Sequence, residues 1–251
     1  MSSPDFGRRA ESYDRIRPVD DSWWELFELL VAEADLRGRR VLDIGCGTGR
    51  LCAALAERVG ARAWGVDASP EMLSVAAARV PRGVGLRQSR AERLPFTDGW
   101  FERAVMWLAL HLLERPAALR EAARVLGREG RLAVVTFDPA HFERHWLNRF
   151  FPSIARIDRR RFPDEAGLRA ELAAAGFGAV RSLRLSQRRT LTRAEALERI
   201  HGRHISTFDL VSEEELRSGS ERAEAELPDR VEQALEWLLV VAEQPGEPPA
   251  A

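Results

Sequence analysis

The stretch from Val41 to Gly49, VLDIGCGTG, combines one acidic side chain with three glycines at every second position. The apolar residues around Asp43 predict a buried strand that ends close to that carboxylate. Glycine has no Cβ atom, so a ligand can approach the bare backbone of the turn that follows. A strand, a glycine turn and a helix N-terminus together predict a nucleotide-type ligand at the edge of an open α/β sheet.

The spacing of the glycines indicates which class of ligand the loop could bind. The pattern D-x-G-x-G-x-G differs from the dinucleotide fingerprint G-x-G-x-x-G, so a ligand without a pyrophosphate is predicted. The stretch resembles motif I of the class I S-adenosylmethionine (SAM) methyltransferases. The alternative is a glycine-rich turn that binds nothing.

A second carboxylate follows the next predicted strand, Ala61–Val66. Asp67 precedes a helix that Ser69 and Pro70 are suited to begin, as N-cap and first residue. In a Rossmann-like sheet, a carboxylate at this position can accept both hydroxyl groups of a ribose. Asp67 is therefore predicted to be a ribose ligand, and a helix-capping role is the alternative.

The family resemblance continues through separate motifs, in the same order, from about Tyr13 to about Phe137. It implies SAM as the cofactor, with the glycine loop around its amino-acid part and Asp43 directed towards its ammonium group. Trp107 is a candidate to press against the methionine part, whereas Tyr13 either touches SAM or packs on the second helix. The predicted cofactor-binding residues are Tyr13, Asp43, Gly45, Cys46, Gly47, Gly49, Asp67, Ala68, Met72, Ala91, Glu92 and Trp107.

One position departs from the family pattern. The family has an aspartate, which accepts from the adenine amino group, where this chain has Arg90. Arginine carries only donors and cannot accept that hydrogen bond. Either Ser89, Glu92 or the backbone replaces it, or adenine is held by packing, with Met72 and Ala91 on its two sides.

Candidates for the acceptor side of the site come from histidines and aromatic residues. His111 could act as a general base because imidazole titrates near neutrality, or it could serve packing alone. Phe142, His145 and Trp146 are candidates for a substrate wall. The segment HFERH is not the metalloprotease pattern H-E-x-x-H, and no metal site is predicted.

The predicted architecture is α/β: a Rossmann-like, doubly wound, seven-stranded sheet with an N-terminal helical lid and a helical cap inserted around strands five to seven. The predicted divisions are a lid over 1–38, a SAM-binding core over 39–137, cap helices with the last strands over 138–242, and a tail over 243–251. Helix starts are predicted at Thr48, and at the capping boxes Ser22/Glu25, Thr192/Glu195 and Ser212/Glu215.

The composition of the chain disfavours several other classes of function. The 251 residues carry a net charge of −1 without a basic stripe, which disfavours nucleic-acid partners. No apolar run reaches membrane-spanning length and no signal-peptide pattern is seen, so a cytoplasmic location is expected. All 38 basic residues are arginine, which we interpret as codon usage in a GC-rich bacterial genome and which excludes a catalytic lysine.

The chain resembles the small-molecule branch of this family, in particular the enzymes of ubiquinone and menaquinone biosynthesis. This resemblance implies an enzyme that transfers the SAM methyl group to an oxygen, carbon or nitrogen atom of a small-molecule acceptor. Two alternatives from other classes are a non-catalytic SAM-binding or regulatory protein and an NAD-dependent oxidoreductase. The oxidoreductase would share Asp67 but needs the fingerprint that this chain lacks.

Overall fold

The protein is described here from a computed structural model, which covers Asp14 and residues 18–245. Its centre is one seven-stranded sheet in the order β3-β2-β1-β4-β5-β7-β6, in which β7 runs antiparallel to both neighbours. The strands are β1 Arg40–Ile44, β2 Arg62–Asp67, β3 Gly85–Gln88, β4 Phe101–Trp107, β5 Leu126–Phe137, β6 Val180–Thr192 and β7 Arg230–Glu243. The predicted seven-stranded α/β fold is confirmed.

Helices cover both faces of this sheet. They are α1 Asp21–Ala34, α2 Arg50–Val59, α3 Pro70–Arg79, α4 Arg115–Val125, α5 Pro139–Arg144, α6 Ser153–Arg161, α7 Glu165–Ala174, α8 Arg193–His201 and α9 Glu213–Glu226. Short 3-10 turns lie at Leu110–Leu112, Trp146–Arg149 and Ser206–Leu210. One apolar layer joins α1 and α2 to the sheet and another joins α4 and α7 to its opposite face, as expected for strands buried on both sides.

Strands β6 and β7 continue past the carboxyl edge of the rest of the sheet. Trp237 of β7 pairs with Phe137, the last residue of β5, and with Leu185 of β6. Between Arg230 and Glu236, β7 pairs with β6 alone. Seven residues at about 3.3 Å each make a two-stranded ribbon about 20 Å long that rises above the sheet edge.

Two insertions form a cap beside this ribbon. One follows β5 and contains α5 and α6, and the other connects β6 to β7 and contains α8 and α9. They share an apolar core that includes Phe150, Phe151, Phe208 and Leu191 of the ribbon. The predicted cap around strands five to seven is therefore present, and it stands over the edge where the parallel strands end.

Local capping chemistry explains several helix boundaries and corrects two predictions. Gly49, not Thr48, is the N-cap residue of α2. Asp20, not Ser22, caps α1, because its carboxylate accepts from the backbone N–H of Trp23. The Thr192/Glu195 capping box is confirmed on both hydrogen bonds.

The predicted capping box at Ser212 forms only in part. The Ser212 side chain accepts from the backbone N–H of Glu215, as expected. The Glu215 carboxylate instead accepts from the backbone N–H of Ser153, at the start of α6. The second half of the box therefore ties the two insertions of the cap together.

Among the helices of residues 14 and 18–245, none combines the length with the hydropathy that a membrane span requires. The same part of the chain contains no group of three or more histidine, cysteine, aspartate or glutamate side chains arranged to hold a metal ion.

Candidate functional site at the carboxyl edge of the sheet

The three glycines of the loop after β1 serve three different needs. All have positive φ, at 77° for Gly45, 50° for Gly47 and 75° for Gly49. A Cβ atom at Gly45 would lie 2.6 Å from the Cβ of Ala109, and one at Gly49 would lie 2.9 Å from the Cβ of Ala76. A Cβ at Gly47 would meet nothing within 4 Å. Gly47 is thus the glycine at which bare backbone faces open space.

Asp43 is a buried carboxylate at the start of this loop. Its side chain is only 2% exposed, and Cys52 Sγ lies 3.5 Å from its Oδ2. Burial raises the pKa of Asp43 to about 7 because the charged form is poorly solvated there. No cation among the described residues forms an ion pair with Asp43. A buried carboxylate that lines a cavity and has no cation paired with it is suited to bind a ligand that carries a positive charge.

Asp67, at the end of β2, is tied to the same loop. Its Oδ2 accepts from Gly47 N at 2.9 Å and its Oδ1 accepts from Ser69 N at 2.9 Å. Burial raises its pKa, opposed by these backbone hydrogen bonds. Asp67 therefore fulfils in part the alternative role predicted for it, that of capping the helix that follows. Each carboxylate oxygen can accept a further hydrogen bond, so the contacts leave room for a ribose diol.

A cavity of about 230 Å³ runs from the glycine loop, beneath the cap, to the β6–β7 ribbon. It brings together the loop after β1, the ends of β4 and β5, the start of α1, the ribbon and the cap. Its lining includes Asp20, Trp23, Asp43, Gly45, Cys46, Gly47, Thr48, Arg50, Trp107, Leu108, Phe137, His141, His145, Gln187, Arg189, Arg199, His204, Gln233, Leu235 and Trp237.

Aromatic rings form the middle of the cavity. Trp107, at the end of β4, stacks on Trp23 of α1 with ring centroids 5.3 Å apart. Phe137, at the end of β5, stacks between Trp237 at 4.3 Å and His141 at 4.0 Å. These rings make the space between the glycine loop and the ribbon largely apolar.

Leu108 follows β4 with φ at 51°, a left-handed conformation that is uncommon outside glycine. Its N–H still donates to Val135 O at 2.9 Å, so the strand edge holds it in place. This conformation allows Trp107 and Leu108, although adjacent in sequence, both to line the cavity. Such strained residues are characteristic of binding sites.

The cavity histidines His141 and His145 are neutral near pH 7. Burial lowers the pKa of His141 to about 4 and that of His145 to about 3, and the positive charges of Arg199 and Arg189 further lower the latter. Nδ1 of His145 accepts from Leu147 N at 3.2 Å. The proton of neutral His145 is therefore on Nε2, which can donate a hydrogen bond.

The structure brings six of the predicted site residues to the cavity wall: Asp43, Gly45, Cys46, Gly47, Trp107 and His145. Four others lie on the β2–β3 side of the loop: Asp67, Ala68, Met72 and Ala91. Gly49 supports the loop from below, against α3. The assignments of the latter residues to ribose and adenine remain predictions. Tyr13 lies outside the described residues.

Two predicted site residues have other contacts. Glu92 accepts from Glu114 N at 2.9 Å and pairs with Arg90 at 3.2 Å, and because each carboxylate oxygen can accept a further hydrogen bond, its cofactor role stays a prediction. Trp146 packs against the apolar core of the cap and lines neither this cavity nor its smaller neighbour. A bulky aromatic residue stabilises the cap best when it is covered, which explains the inward placement.

His111 and Phe142 line a smaller neighbouring cavity of about 60 Å³. His111 stacks on Phe162 with ring centroids 4.0 Å apart, so its ring makes the kind of packing contact that was the alternative to a role as a base. The two cavities share Leu108, Phe137, His141, His145 and Ile205 as lining residues. His111 thus lines the smaller of two adjoining cavities.

The polar side chains after β3 make contacts within the protein. Arg90 is exposed and pairs with Glu92, while the Ser89 hydroxyl donates to the carbonyl oxygens of Arg90 and Arg93. Ala91 and Met72 are both buried and apolar. Packing of adenine against these two side chains stays a prediction, beside the alternatives of Ser89, Glu92 and the backbone.

The far end of the cavity was missed by sequence reasoning. Gln233, Gln187, Arg189 and Arg199 come from β7, β6 and α8, which are remote from the glycine loop in sequence. A signal was present: Val231, Gln233, Leu235 and Trp237 alternate along β7 as its buried face. A glutamine at a core-facing position of a strand indicates a buried polar network.

Asp14 fastens the chain before α1 onto the glycine loop. Its carboxylate accepts from Thr48 Oγ1 at 2.8 Å and pairs with Arg50 at 2.8 Å and with Arg79. These three partners belong to the loop, α2 and α3, so one carboxylate connects the loop to the two helices beside it.

We expect Asp14→Asn to weaken SAM binding about threefold to tenfold, because losing about 1 kcal/mol of charged contacts loosens the loop. Calorimetric titration of SAM measures this effect. Asp98→Asn, which removes an exposed carboxylate paired with Arg124, is the control and should leave the affinity unchanged. An unchanged affinity in Asp14→Asn would contradict the role of this contact.

The fold and the loop define a class of protein. A parallel sheet with one antiparallel strand, a glycine loop after β1 and a carboxylate after β2 form a Rossmann-like nucleotide-binding domain. Comparison with known proteins agrees: residues 41–130 match the family model described as a methyltransferase domain.

The chain is 38% identical over 130 residues to an uncharacterized methyltransferase of Mycobacterium tuberculosis, covering 52% of this chain and 51% of that protein. It is 34% identical over 165 residues to a demethylmenaquinone methyltransferase of Mycolicibacterium paratuberculosis, covering 57% and 70% respectively. A crystal structure of a proposed methyltransferase from an antibiotic biosynthesis pathway of Anabaena variabilis superimposes with a TM-score of 0.72, at 22% identity and 90% and 99% coverage.

The chain belongs to the class I SAM-dependent methyltransferases. Its matches span about half the length of the first curated relatives. SAM is the cofactor of this family, and the loop fits it: Gly47 leaves backbone open to the cavity, and Asp43 offers a buried carboxylate to an ammonium group.

Proposed function

We propose that this protein transfers the methyl group of SAM to a small-molecule acceptor held beneath the cap. The observation that carries the proposal is the cavity lined both by the glycine loop and by the cap and ribbon. A cofactor and an acceptor bound in one cavity can place their reacting atoms together. The acceptor atom, whether oxygen, carbon or nitrogen, is left open.

The residues of this chain contribute binding, orientation and exclusion of water. SAM, when bound, supplies an electrophilic methyl group that leaves its sulfur as the acceptor forms a bond to it. Asp43 and the backbone at Gly47 would hold the amino-acid part, and Asp67 would hold the ribose. Trp23, Trp107 and the cap exclude water from the reacting atoms.

No proton acceptor beside the methyl group is needed unless the acceptor must lose a proton in the same step. The contacts of His145 place its proton on Nε2, so it is suited to donate to an acceptor oxygen rather than to remove its proton. The structure thus favours a binding role for His145 over that of a base. His111 lines the smaller neighbouring cavity and stacks on Phe162, so its role as a base stays a prediction.

The two alternatives make different predictions for ligand binding and turnover. An NAD-dependent oxidoreductase should bind NAD, and a non-catalytic SAM-binding protein should bind SAM without forming a methylated product. We therefore propose calorimetric titration of SAM, S-adenosylhomocysteine and NAD, followed by mass spectrometry of candidate acceptors incubated with protein and SAM. Binding of NAD in place of SAM would overturn the proposal.

We expect Asp67→Ala to weaken the binding of SAM and of S-adenosylhomocysteine by at least tenfold, because it removes charge-assisted hydrogen bonds worth about 1.5–3 kcal/mol. Calorimetry on both ligands measures the loss, and circular dichroism of the variant checks that the fold is retained. Adenine alone, which has no ribose, should lose much less affinity. Equal losses for adenine and SAM would indicate a general disturbance of the loop instead of a ribose contact.

A further inference from the structure

One carboxylate oxygen at the smaller cavity has no hydrogen-bond partner in the part of the chain that the structure describes. Asp158 of α6 is 5% exposed and lines that cavity. Its Oδ1 accepts from the hydroxyl group of Thr207 and from Arg161 Nη1, the latter at 3.3 Å. Its Oδ2 is left as a buried acceptor, and buried polar atoms of this kind usually have a donor. A ligand in the cavity can supply that donor.

Arg161 compensates the charge of this carboxylate. Its guanidinium group pairs with Asp158 and donates to the hydroxyl groups of Thr207 and Ser206, both at 2.9 Å. Burial raises the pKa of Asp158 to about 6, so the carboxylate is ionised at pH 7.5 and its Oδ2 can only accept. Because the pair of Asp158 and Arg161 is neutral as a whole, a neutral donor suits Oδ2 better than a cation, which Arg161 would repel.

Two neutral histidines also line the smaller cavity. Nδ1 of His141 is buried and has no partner among the described residues. The hydrogen bond of this ring to the backbone of Ala234 therefore uses Nε2, which carries the proton because a carbonyl oxygen only accepts. His141 thus adds a second acceptor without a donor. The ring of His145 lies 5.1 Å from that of His141, between centroids, and its Nε2 offers an N–H.

The smaller cavity is built from elements other than the glycine loop. Its lining comes from the turn after β4, the end of β5, α5, α6 and the 3-10 turn at Ser206–Leu210. It adjoins the main cavity along Phe137, His141 and His145, which line both. Phe142 and Phe162 make its remaining wall largely apolar. A molecule bound in the main cavity can therefore extend a small side group into it.

We propose that the smaller cavity binds a hydroxyl group of the methyl acceptor, whose O–H donates to Asp158 Oδ2 and whose oxygen accepts from His145 Nε2. A hydroxyl group is small and neutral, and it both donates and accepts. Since the glycine loop does not line this cavity, the hydroxyl group anchors the acceptor and is not the atom that is methylated. Asp158 and His145 would then select an uncharged acceptor that bears a hydroxyl group. This inference rests on the proposed methyl transfer, but the preference for a hydroxyl group can be measured without turnover.

The test uses benzyl alcohol, benzyl methyl ether, toluene and benzylamine as probes, which share one ring and differ in the side group. Each is titrated into the full chain at pH 7.5 with and without S-adenosylhomocysteine, and binding is followed by calorimetry. The alcohol should bind about tenfold more tightly than the ether or toluene, because only the alcohol donates to the buried carboxylate. Benzylamine, a cation at this pH, should bind more weakly than the alcohol. Equal binding of the alcohol and the ether, or tighter binding of benzylamine than of the alcohol, would overturn this inference.

Asp158→Asn should reduce the preference for the alcohol over the ether to less than threefold, while the affinity for S-adenosylhomocysteine stays unchanged. The amide oxygen would remain with Arg161, so the amide nitrogen would replace Oδ2 and could donate to the oxygen of the ether. Asp164→Asn is the matched control, because it makes the same change in net charge at the exposed N-cap of α7, where asparagine caps as well as aspartate. This control should keep the preference of the wild type.

An equal loss of preference in both variants would contradict the role of Asp158. Circular dichroism checks the fold of each variant, and the four probes on the wild type decide the inference even if Asp158→Asn does not fold. Failure of S-adenosylhomocysteine to bind the wild type would instead overturn the proposed function.

Discussion

Asp43→Asn is expected to weaken SAM binding on the order of 100-fold at pH 7.5, because removing one partner of a buried charge pair costs about 2–5 kcal/mol. Asparagine has almost the same shape, so the loop should keep its conformation. The carboxylate at 2% exposure has no cation paired with it among the described residues, and the ammonium group of SAM would be its partner.

The same substitution should stabilise the protein without ligand. Burial raises the pKa of Asp43 from 3.8 to about 7, so the folded protein binds this proton more tightly than the unfolded chain. Between about pH 4 and pH 7 the stability contributed by Asp43 therefore falls as the pH rises. At pH 8 the uncharged amide of the variant avoids the buried charge, a gain on the order of 2–4 kcal/mol in the free energy of unfolding.

The pH dependence of binding supplies the measurement. SAM should bind the wild type about 50-fold more weakly at pH 5 than at pH 7, since the ionised fraction of a group with pKa about 7 falls from one half to about one hundredth. An α-amino group stays protonated over this range, with a pKa near 7.7–8.0. His141 and His145, with pKa values of about 4 and 3, change little there.

Asp158→Asn is the control for Asp43→Asn. Asp158 is also buried, in the cap, and burial raises its pKa to about 6. Its substitution should alter the pH dependence of stability but leave SAM affinity unchanged. If Asp43→Asn keeps both the affinity and the pH dependence of the wild type, Asp43 does not contact the ammonium group.

Alanine at Gly47 and alanine at Gly45 are expected to have opposite effects, although the two positions are two residues apart. Gly47→Ala should abolish detectable SAM binding and cost only about 1 kcal/mol of stability, the cost of a left-handed alanine. Its Cβ meets no protein atom within 4 Å and would project into the space that the ligand needs.

Gly45→Ala should instead destabilise the protein by about 2–4 kcal/mol, because overpacking adds to the backbone cost. Its Cβ would lie 2.6 Å from the Cβ of Ala109, far inside normal contact distance. For a chain of this size that loss lowers Tm by about 5–15 °C.

Thermal unfolding and SAM calorimetry on the two variants separate these effects. Gly38→Ala is the control for the backbone cost alone, since Gly38 has φ of 70°, is exposed and has nothing within 4 Å of its Cβ position. If Gly47→Ala binds SAM normally, the open face of the loop does not hold the cofactor.

Part of the site could be predicted from short sequence patterns. The order of apolar runs and glycines around Asp43 and Asp67 predicted two parallel strands with a loop between them, because parallel strands are buried on both faces and end at a common edge. The Thr192/Glu195 capping box could also be predicted, because both of its hydrogen bonds join residues within one four-residue segment.

Two predictions from local patterns gave the wrong N-cap residue of a helix. Ser22 with Glu25 has the pattern of a capping box, yet Asp20 caps α1 and Glu25 binds Gln187 of β6. Thr48 has the side chain of a helix cap, yet its hydroxyl donates to Asp14. In each case a partner distant in sequence competes for the side chain, and no local pattern records that competition.

The sequence by itself determined the sheet, the cofactor loop and the two carboxylates beside it, because their signals are periodicity, glycine spacing and capping within short windows. Only the tertiary structure decided which residues line the far end of the cavity. Arg189, Arg199 and Gln233 lie up to 44 residues apart, and they meet because β6 and β7 pair beyond the sheet edge while α8 folds back over them. Strand register and helix packing set that meeting, and both depend on contacts between segments far apart in the chain.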